Sequence, residues 1–384
     1  MIAVQIWGSA MTRKTGLVWH ETFMWHQQGK YSGLLPGVYP VQPGSHVEGP
    51  EPKRRIKNLL DATGMTAKLS VIEPRPATDI ELERAHSKAY LAQLAHDNAL
   101  PEASAGFDAP FSRGSVDLAR LAAGGVILAA ERVASGALDN AYALVRPIGH
   151  HAEAAEGKGF CLINNAAVAA AHLLATTDIR RIAFVDVDVH HGNGAENIFW
   201  RDPRVLTISI HQERWFPPDT GDVASIGAGS GEHFNINVPL PAGCGHGAYE
   251  AAFEQVVLPA LELYRPEFIF VPFGYDAGAQ DPLGRMIVSS NGFRAMAQRL
   301  VEVADRHAGG RLVATQEGGY NESTTPFMAL AVIEALAGQS SGVDDPYAPI
   351  MDGMFGHDLL DHQQAAIDRA KSLLAGLRDA VGKS

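Results

Sequence analysis

The chain has 384 residues, 46% of them hydrophobic, and a formal net charge of -12. That length fits one large α/β domain or two ordinary ones, and the acidic balance excludes nucleic acid as a direct partner, because neutralising phosphate needs a basic face. No apolar run reaches membrane-spanning length, and the two cysteines, Cys161 and Cys244, form no paired framework, which points to a reducing compartment and a cytoplasmic protein.

Met11 is followed by Thr12-Arg13-Lys14, which reads as a natural start. Residues 1–10 are therefore expected to be an upstream extension, and 1–14 to be extended or disordered. Gly29 to Pro52 is rich in loop formers and too long for an ordinary connection, so it reads as a functional loop or the arm of a homo-oligomer. Lys53–Ala62 has the spacing of a basic amphipathic helix, with Ile56, Leu59 and Leu60 on one face. Thr78 and Asp79 are helix caps. Leu82, Ala85, His86 and Ala89 then keep helical spacing, and a further short helix follows through Leu91 and Leu94. Pro101–Ser115 reads as a second long loop, and Val116–Ser135 as a buried helix.

From Ala141 onward strands and helices alternate. Strands are expected at Ala141–Arg146, Ile182–Val189, Val205–Ile210, Phe268–Phe273 and Leu312–Gln316. Helices are expected near Ala166–Ala175, Ala248–Tyr264, Asn291–Arg306 and Pro326–Leu336, with a terminal helix within 358–380. Such alternation predicts a parallel sheet covered by helices on both faces. No repeat, low-complexity tract or linker divides the chain, so 1–384 reads as one domain.

Nearly every apolar strand runs into ionisable residues or glycine. Examples are Gly149-His150-His151, Asp188-Val189-His190-His191, Ser209 with His211, Gly274-Tyr275-Asp276 and Glu317-Gly318-Gly319-Tyr320. In an open α/β sheet, ligands bind beyond the carboxyl ends of the strands. Asp186, Asp188 and His190 are spaced by two, so on an extended strand their side chains leave one face. Asp188, His190 and Asp276 supply two carboxylates and an imidazole, a set that suits a catalytic divalent ion such as zinc with one position open. The competing reading is a buried ion-pair cluster. The adjacent His150 and His151 suit general base and general acid, oriented by Asp186 and Asn193. A carboxylate partner raises imidazole basicity more than an amide does, so the two rings should differ in pKa. Tyr320, after two glycines, can swing a phenol toward a developing oxyanion.

RPIGHH (146–151), GFCLINN (159–165), DVDVHHGNG (186–194), ISIHQ (208–212), FPPDTG (216–221), GYDA (274–277), DPLGR (281–285) and QEGGY (316–320) occur in this order. Together they resemble the zinc-dependent histone deacetylase family, specifically its class II branch and the bacterial deacetylase-like amidohydrolases and acetylpolyamine amidohydrolases. The resemblance covers residues 15–338. It implies an arginase/deacetylase-type three-layer α/β fold with a central, mostly parallel eight-stranded sheet. It places zinc on Asp188, His190 and Asp276, the tandem histidines on His150 and His151, and the transition-state tyrosine on Tyr320. Asp186 and Asn193 become the histidine partners. One potassium site maps to Asp186, Asp188, His190, Ser209 and Ile210, and a second to Phe199, Asp202, Val205 and Phe234. The acyl channel maps between Phe160 and Phe216 beside Gly159 and Leu283, with Asp108 at its rim. Two departures are Ile148, where a second proline is usual, and Tyr275, where phenylalanine is usual. The first is expected to loosen the loop that places His150, and the second to add a hydroxyl near the metal.

The implied activity is zinc-dependent hydrolysis of an N-acyl amine, such as an acyl-lysine, an acetylpolyamine or another small amide. Two rivals stand beside it. A binuclear manganese ureohydrolase needs extra carboxylates, but Gly192 and Gly278 stand where those would be. The other is an inactive acyl-amine binding protein.

Overall fold

The computed structural model describes residues 12–383, so the expected extension at 1–10 lies outside the described residues. Eight strands form the central sheet: β1 (Thr15–Val18), β2 (Ser70–Ile72), β3 (Asn140–Ala143), β4 (Ile182–Asp186), β5 (Val205–Gln212), β6 (Asn235–Leu240), β7 (Phe268–Phe273) and β8 (Leu312–Gln316). Their order is β6-β5-β4-β7-β8-β3-β1-β2, and every pairing is parallel. β3 to β8 are buried along their whole length, as a parallel sheet covered on both faces requires. One face packs on helices Glu51–Ala62, Ser290–His307 and Thr325–Ala337. The other packs on Ser115–Ala134 and Asn165–Thr176.

The order contains a reversal that places the site. From β4 the chain moves outward to β5 and β6, then returns so that β7 pairs with the opposite side of β4. The loops after β4 and β7 therefore diverge from adjacent strands, leaving a crevice at their carboxyl ends.

Several boundaries differ from the sequence reading. The strand expected at Ile182–Val189 ends at Asp186, and the one expected at Ala141–Arg146 is Asn140–Ala143. Beyond each a single further bond to the neighbouring strand survives, Val187 N–H to Pro272 O (3.1 Å) and Leu144 N–H to Val18 O (3.0 Å), before the chain turns toward the crevice. β1, β2 and β6 carry weak signals. β6 (NINVPL) holds Asn235 and Asn237 in a buried strand because their amides donate to Glu196 Oε2, at 2.7 and 2.9 Å. The helical spacing after Thr78 is split. A capping box of Thr78 and Glu81 starts Asp79–Leu82, and Ser87 caps a new helix, Lys88–Asp97. The helix expected at Ala248–Tyr264 passes through a wider π turn, Phe253–Val257, just ahead of Pro259, which has no N–H to donate. The terminal helix is two, Asp361–Lys371 and Leu374–Val381. Arg13 and Lys14, expected to be loose, donate their backbone N–H groups to Ala337 O (2.9 Å) and Asp139 Oδ2 (2.7 Å).

Neither long loop is structureless. Tyr31–Ser32 pairs with Leu35–Pro36, and Glu102–Ser104 with Pro110–Ser112. The first segment is clamped to the β3 exit by a buried ion network. The Arg146 guanidinium donates to Glu48 Oε1 (2.9 Å), His26 O (2.7 Å), Gln28 Oε1 (3.1 Å) and Glu48 O (2.9 Å). Arg146 and Glu48 are both 1% exposed, and Lys53 Nζ lies 3.6 Å from Glu48. Removing one partner strands the other charge in a dry interior. Arg146→Ala should therefore cost about 3–5 kcal/mol of stability, read as a lowered denaturant midpoint with unchanged slope; a midpoint equal to wild type contradicts the clamp.

Candidate active site

Val187 continues the extended path past β4 and donates to Pro272 O (3.1 Å). Asp188 and His190 thus face the loop after β7, where Asp276 waits. One ligand atom from each of Asp188, His190 and Asp276 lies within 4.8 Å of the others, and all three residues are buried. His190 Nδ1 is 3.0 Å from Asp188 Oδ1 and 3.1 Å from Asp276 Oδ2. A tetrahedral zinc separates its nitrogen and oxygen ligands by roughly 3.3 Å, close to these spacings. Asp276 Oδ2 is buried and lacks a properly aligned hydrogen bond, an orphan acceptor of the kind a cation resolves. Burial and the neighbouring Asp188 push the Asp276 carboxyl up to about 6, so two like charges share a space that a divalent cation would neutralise. Glycine is required around the cluster. A Cβ on Gly274 would overlap Asp188 Oδ2, and one on Gly318 would overlap Asp276 Oδ2. The residues fit zinc.

The tandem histidines sit beside this cluster, with ring centroids 3.8 Å apart. His150 Nδ1 bonds Asp186 Oδ2 (3.0 Å), and its Nε2 lies 3.7 Å from Asp188 Oδ2. His151 Nδ1 bonds Asn193 Oδ1 (2.7 Å). Asn193 Nδ2 donates to His151 O and Glu153 Oε1. That arrangement orients the amide, so its oxygen faces the ring and His151 Nδ1 carries the proton. Burial opposes charge on both rings. For His150 the carboxylates of Asp188 and Asp186 outweigh it and push the pKa up to about 10. For His151 burial is reinforced by His150 and His190, and the pKa falls well below the usual value. His191 turns away, to Thr220 Oγ1 and Glu196 Oε2, both at 3.0 Å.

The loop ahead of the pair is not loosened by Ile148, which is buried. Glu317 Oε2 accepts the N–H groups of Gly149 (2.7 Å) and His150 (3.1 Å), and Asn165 Nδ2 donates to Pro147 O. The Tyr275 hydroxyl does not reach the metal cluster. It points into the core, 2.9 Å from the Tyr142 hydroxyl, which donates to Gln316 Oε1 (2.6 Å).

Above the cluster is a cavity of about 220 Å³ lined by Leu34, Asp108, His151, Gly159, Phe160, His190, Trp215, Phe216, Leu283 and Tyr320. It gathers all five channel residues expected from sequence: Gly159, Phe160, Phe216, Leu283 and Asp108. Phe216 meets His151 edge-on at 4.9 Å, and Phe160 meets Tyr320 at 6.1 Å. Burial raises the Asp108 carboxyl. Leu34, Trp215, Glu317 and Asp281 went unassigned in the sequence. Glu317 and Asp281 stood inside the quoted motifs QEGGY and DPLGR; nothing local marks Leu34 or Trp215. A wider, open hollow of about 620 Å³ lies at the other end of the strands. Its charges are already engaged, His172 with Glu131 (2.9 Å) and Arg311 with Glu267 O (2.9 Å).

Of the potassium residues, Asp186 and Ser209 are paired across β4 and β5, and Ser209 Oγ accepts from Gly192 N–H. Around the second set, Phe199 O accepts from Asp202 N–H, Asp202 O from Val205 N–H, and Phe234 O from Thr207 N–H.

The sheet order and the buried triad at its switch point define the arginase/deacetylase class of α/β fold. Comparison with known proteins narrows this. The histone deacetylase domain profile matches residues 46–336. The histone deacetylase-like amidohydrolase of Pseudomonas aeruginosa is 46% identical over 339 residues, 88% of this chain and 89% of that protein. A probable deacetylase of Archaeoglobus fulgidus is 35% identical over 327 residues, 84% of this chain and 86% of that one. The crystal structure of the HDA15 HD domain superposes with a TM-score of 0.83 at 30% identity, covering 96% of this chain and 98% of that chain. The chain belongs to the histone deacetylase family. It is a hydrolase of amide bonds, and the family is in general zinc-dependent.

Asp276→Asn keeps the shape of the ligand set but removes a charge. Zinc per chain after dialysis should fall at least tenfold relative to wild type, on the scale by which ligand-shell changes weaken metal affinity; full occupancy would refute the ligand assignment.

Proposed function

We propose that the chain hydrolyses an N-acyl amine, specifically an N-acetyl amide such as acyl-lysine or acetylpolyamine, to carboxylate and amine. The observation that carries this reading is the convergence of His151, His190 and Tyr320 at the wall of one narrow apolar cavity. A linear acyl chain fits between Phe160 and Phe216, and Asp108 at the wall accepts an amide N–H from the substrate. The lining offers a single carboxylate among Leu34, Trp215, Phe216 and Leu283, which favours an acyl-lysine arm over a polycation.

Zinc held by Asp188, His190 and Asp276 supplies Lewis acidity that polarises the carbonyl and acidifies the attacking water. The protein groups do the rest. His151 lines the cavity, is neutral, and has Nδ1 occupied by Asn193, so Nε2 is its free acceptor. It takes the proton of the attacking water and returns it to the amine nitrogen as the C–N bond breaks. His150, whose Nδ1 bonds the Asp186 carboxylate, carries the positive charge that steadies the negative charge as it develops. Tyr320, whose phenol pKa burial raises well above the usual value, stays protonated and donates to the carbonyl oxygen as it gains charge.

The same reading carries three further assignments. Potassium binds at the two oxygen-rich sets, Asp186, Asp188, His190, Ser209 and Ile210, and Phe199, Asp202, Val205 and Phe234; carbonyl and hydroxyl oxygens suit that ion. Residence is cytoplasmic, consistent with two buried free cysteines. Among the described residues no helix is long and apolar enough to cross a membrane. A homo-oligomer forms through the hairpin segment, whose Leu35, Val38 and Tyr39 are exposed at 59%, 67% and 99%.

On an acetyl-lysine amide, the zinc-loaded protein should turn over, lose activity to a chelator and regain it with zinc. Tyr320→Phe should lower kcat ~10²-fold or more, the scale of one oxyanion donor. Turnover that survives chelation, or near-native turnover in Tyr320→Phe, would reject the mechanism. Binding without turnover would identify an inactive acyl-amine binding protein.

A further inference from the structure

Asp281 is 7% exposed and has no role in the chemistry described so far. Its two oxygens serve two segments. Oδ2 accepts the Tyr320 backbone N–H at 2.7 Å, and Oδ1 accepts the Leu283 N–H at 2.8 Å. Burial and the charge of Asp276 push its carboxyl up to about 7. Among the described residues no lysine, arginine or histidine forms an ion pair with it. A buried carboxylate without a cation is costly, and here its compensation is the pair of backbone donors. Neither is a sheet or helix bond: Leu283 is two residues on in Asp281's own loop and Tyr320 lies in the loop after β8, so the carboxylate braces one irregular loop and ties it to the other.

Tyr320 is the residue that most needs such a hold. It follows Gly318-Gly319, and Gly319 sits at φ 118°, a pair that leaves the backbone free to pivot. The phenol's reach across the cavity is set by where the Tyr320 backbone is pinned. Asn321 Nδ2 adds one bond to Gln280 O at 3.0 Å. Gln280 itself lies in the left-handed region at φ 72°, a strained turn that brings Asp281 to face the Tyr320 loop. The other oxygen ties in the channel wall. Leu283 lines the cavity and its carbonyl accepts Trp215 Nε1 at 2.6 Å, with Arg285 stacked 5.2 Å over the indole. One carboxylate thus joins the Tyr320 loop to Leu283, and through Leu283 to the Trp215 rim.

We propose that Asp281 is a positioning residue for Tyr320, fixing the phenol's distance from the reacting carbonyl and its register against the Leu283–Trp215 wall. This rests on the reading of Tyr320 as the donor to that carbonyl oxygen. It separates two jobs. The cluster takes Asp188 and His190 from the β4 loop and Asp276 from the β7 loop. Asp281 lies further along that same β7 loop, but its two hydrogen bonds go to Tyr320 and Leu283 and to no cluster residue, so loss of Asp281 should misplace the phenol without releasing the metal.

The test is a double-mutant cycle on the full chain. Asp281→Ala and Asp281→Asn are each made with Tyr320 present and with Tyr320→Phe. Steady-state kinetics on an acetyl-lysine amide, zinc per chain, and amide hydrogen exchange of peptides spanning 318–323 and 182–190 are measured. With Tyr320 present, Asp281→Ala should lower kcat about 10- to 100-fold, the range between a displaced and a deleted donor. KM should stay within about threefold and zinc should stay full. Asp281→Asn should fall between Ala and wild type, because one amide oxygen still accepts one N–H. In the Tyr320→Phe background, Asp281→Ala should cost less than about threefold more, since the group it positions is gone. Exchange in 318–323 should speed at least about tenfold in Asp281→Ala while 182–190 is unchanged.

Three results overturn the proposal: kcat within about twofold of wild type in Asp281→Ala, an equal penalty in both backgrounds, or loss of zinc. If Asp281→Ala does not fold, Asp281→Asn carries the cycle with the same criteria. If the wild-type protein turns over no amide, the hydrolase reading fails on its own, and the exchange of 318–323 still decides whether Asp281 holds Tyr320.

Discussion

Five carboxylates crowd one buried sheet edge: Asp186, Asp188, Asp276, Asp281 and Glu317, each exposed by 7% or less. Each charge would cost several kcal/mol in such a place if left uncompensated. The compensation is mostly backbone. Asp186 Oδ1 accepts Asp188 N–H, Asp188 Oδ1 accepts His190 N–H, and Asp188 Oδ2 accepts Gly318 N–H. Asp276 Oδ1 accepts Val189 N–H, and Glu317 accepts two N–H groups and the Thr315 hydroxyl. Backbone donors cannot rotate away, so satisfying the charges also fixes the loops. The acceptor left over is Asp276 Oδ2. The capacity for a divalent cation is the remainder of a network that is otherwise closed.

That network draws on residues far apart in sequence because the sheet order brings them together. β4 and β7 are adjacent in space and diverge in connectivity. Asp188 and Asp276 therefore come from different halves of the chain yet face one crevice. Gly274 and Gly318 follow from the same closeness. Each is pressed against a carboxylate oxygen that leaves no room for a Cβ, so the close approach that builds the site also dictates glycine on either side.

Much of this was legible in the sequence. β7 and β8 match their expected bounds because both are short apolar runs closed by Gly274 and by Glu317-Gly318. The residues of the triad and the histidine pair were legible from strand-end position and from motifs. Where the reading missed, tertiary forces had overruled local pattern. β6 hides two asparagines whose buried acceptor, Glu196, lies on another element. Tyr275 was expected to add a hydroxyl near the metal. Side chains alternate along the β7 exit, so with Asp276 facing the crevice its neighbour faces the core and meets Tyr142. Asp281 was visible as a letter in DPLGR, but its partners are two backbone N–H groups, which no side-chain pattern reports.

The asymmetry of the histidine pair follows from one substitution of partner. His150 and His151 are adjacent, equally buried and less than 4 Å apart by ring centroid. Two cations at that distance would repel strongly in a poorly screened interior, so only one ring can hold a proton comfortably. Asp186 and Asp188 give that proton to His150. Asn193, uncharged, gives His151 an orientation without a charge. Had Asn193 been a carboxylate, both rings would compete for the cationic state, and a cavity-facing ring already protonated at Nε2 could not take the proton of an attacking water. An amide at 193 thus keeps the cavity-facing histidine neutral, with Nε2 unprotonated and free to accept, while the charge it must work against stays one residue back.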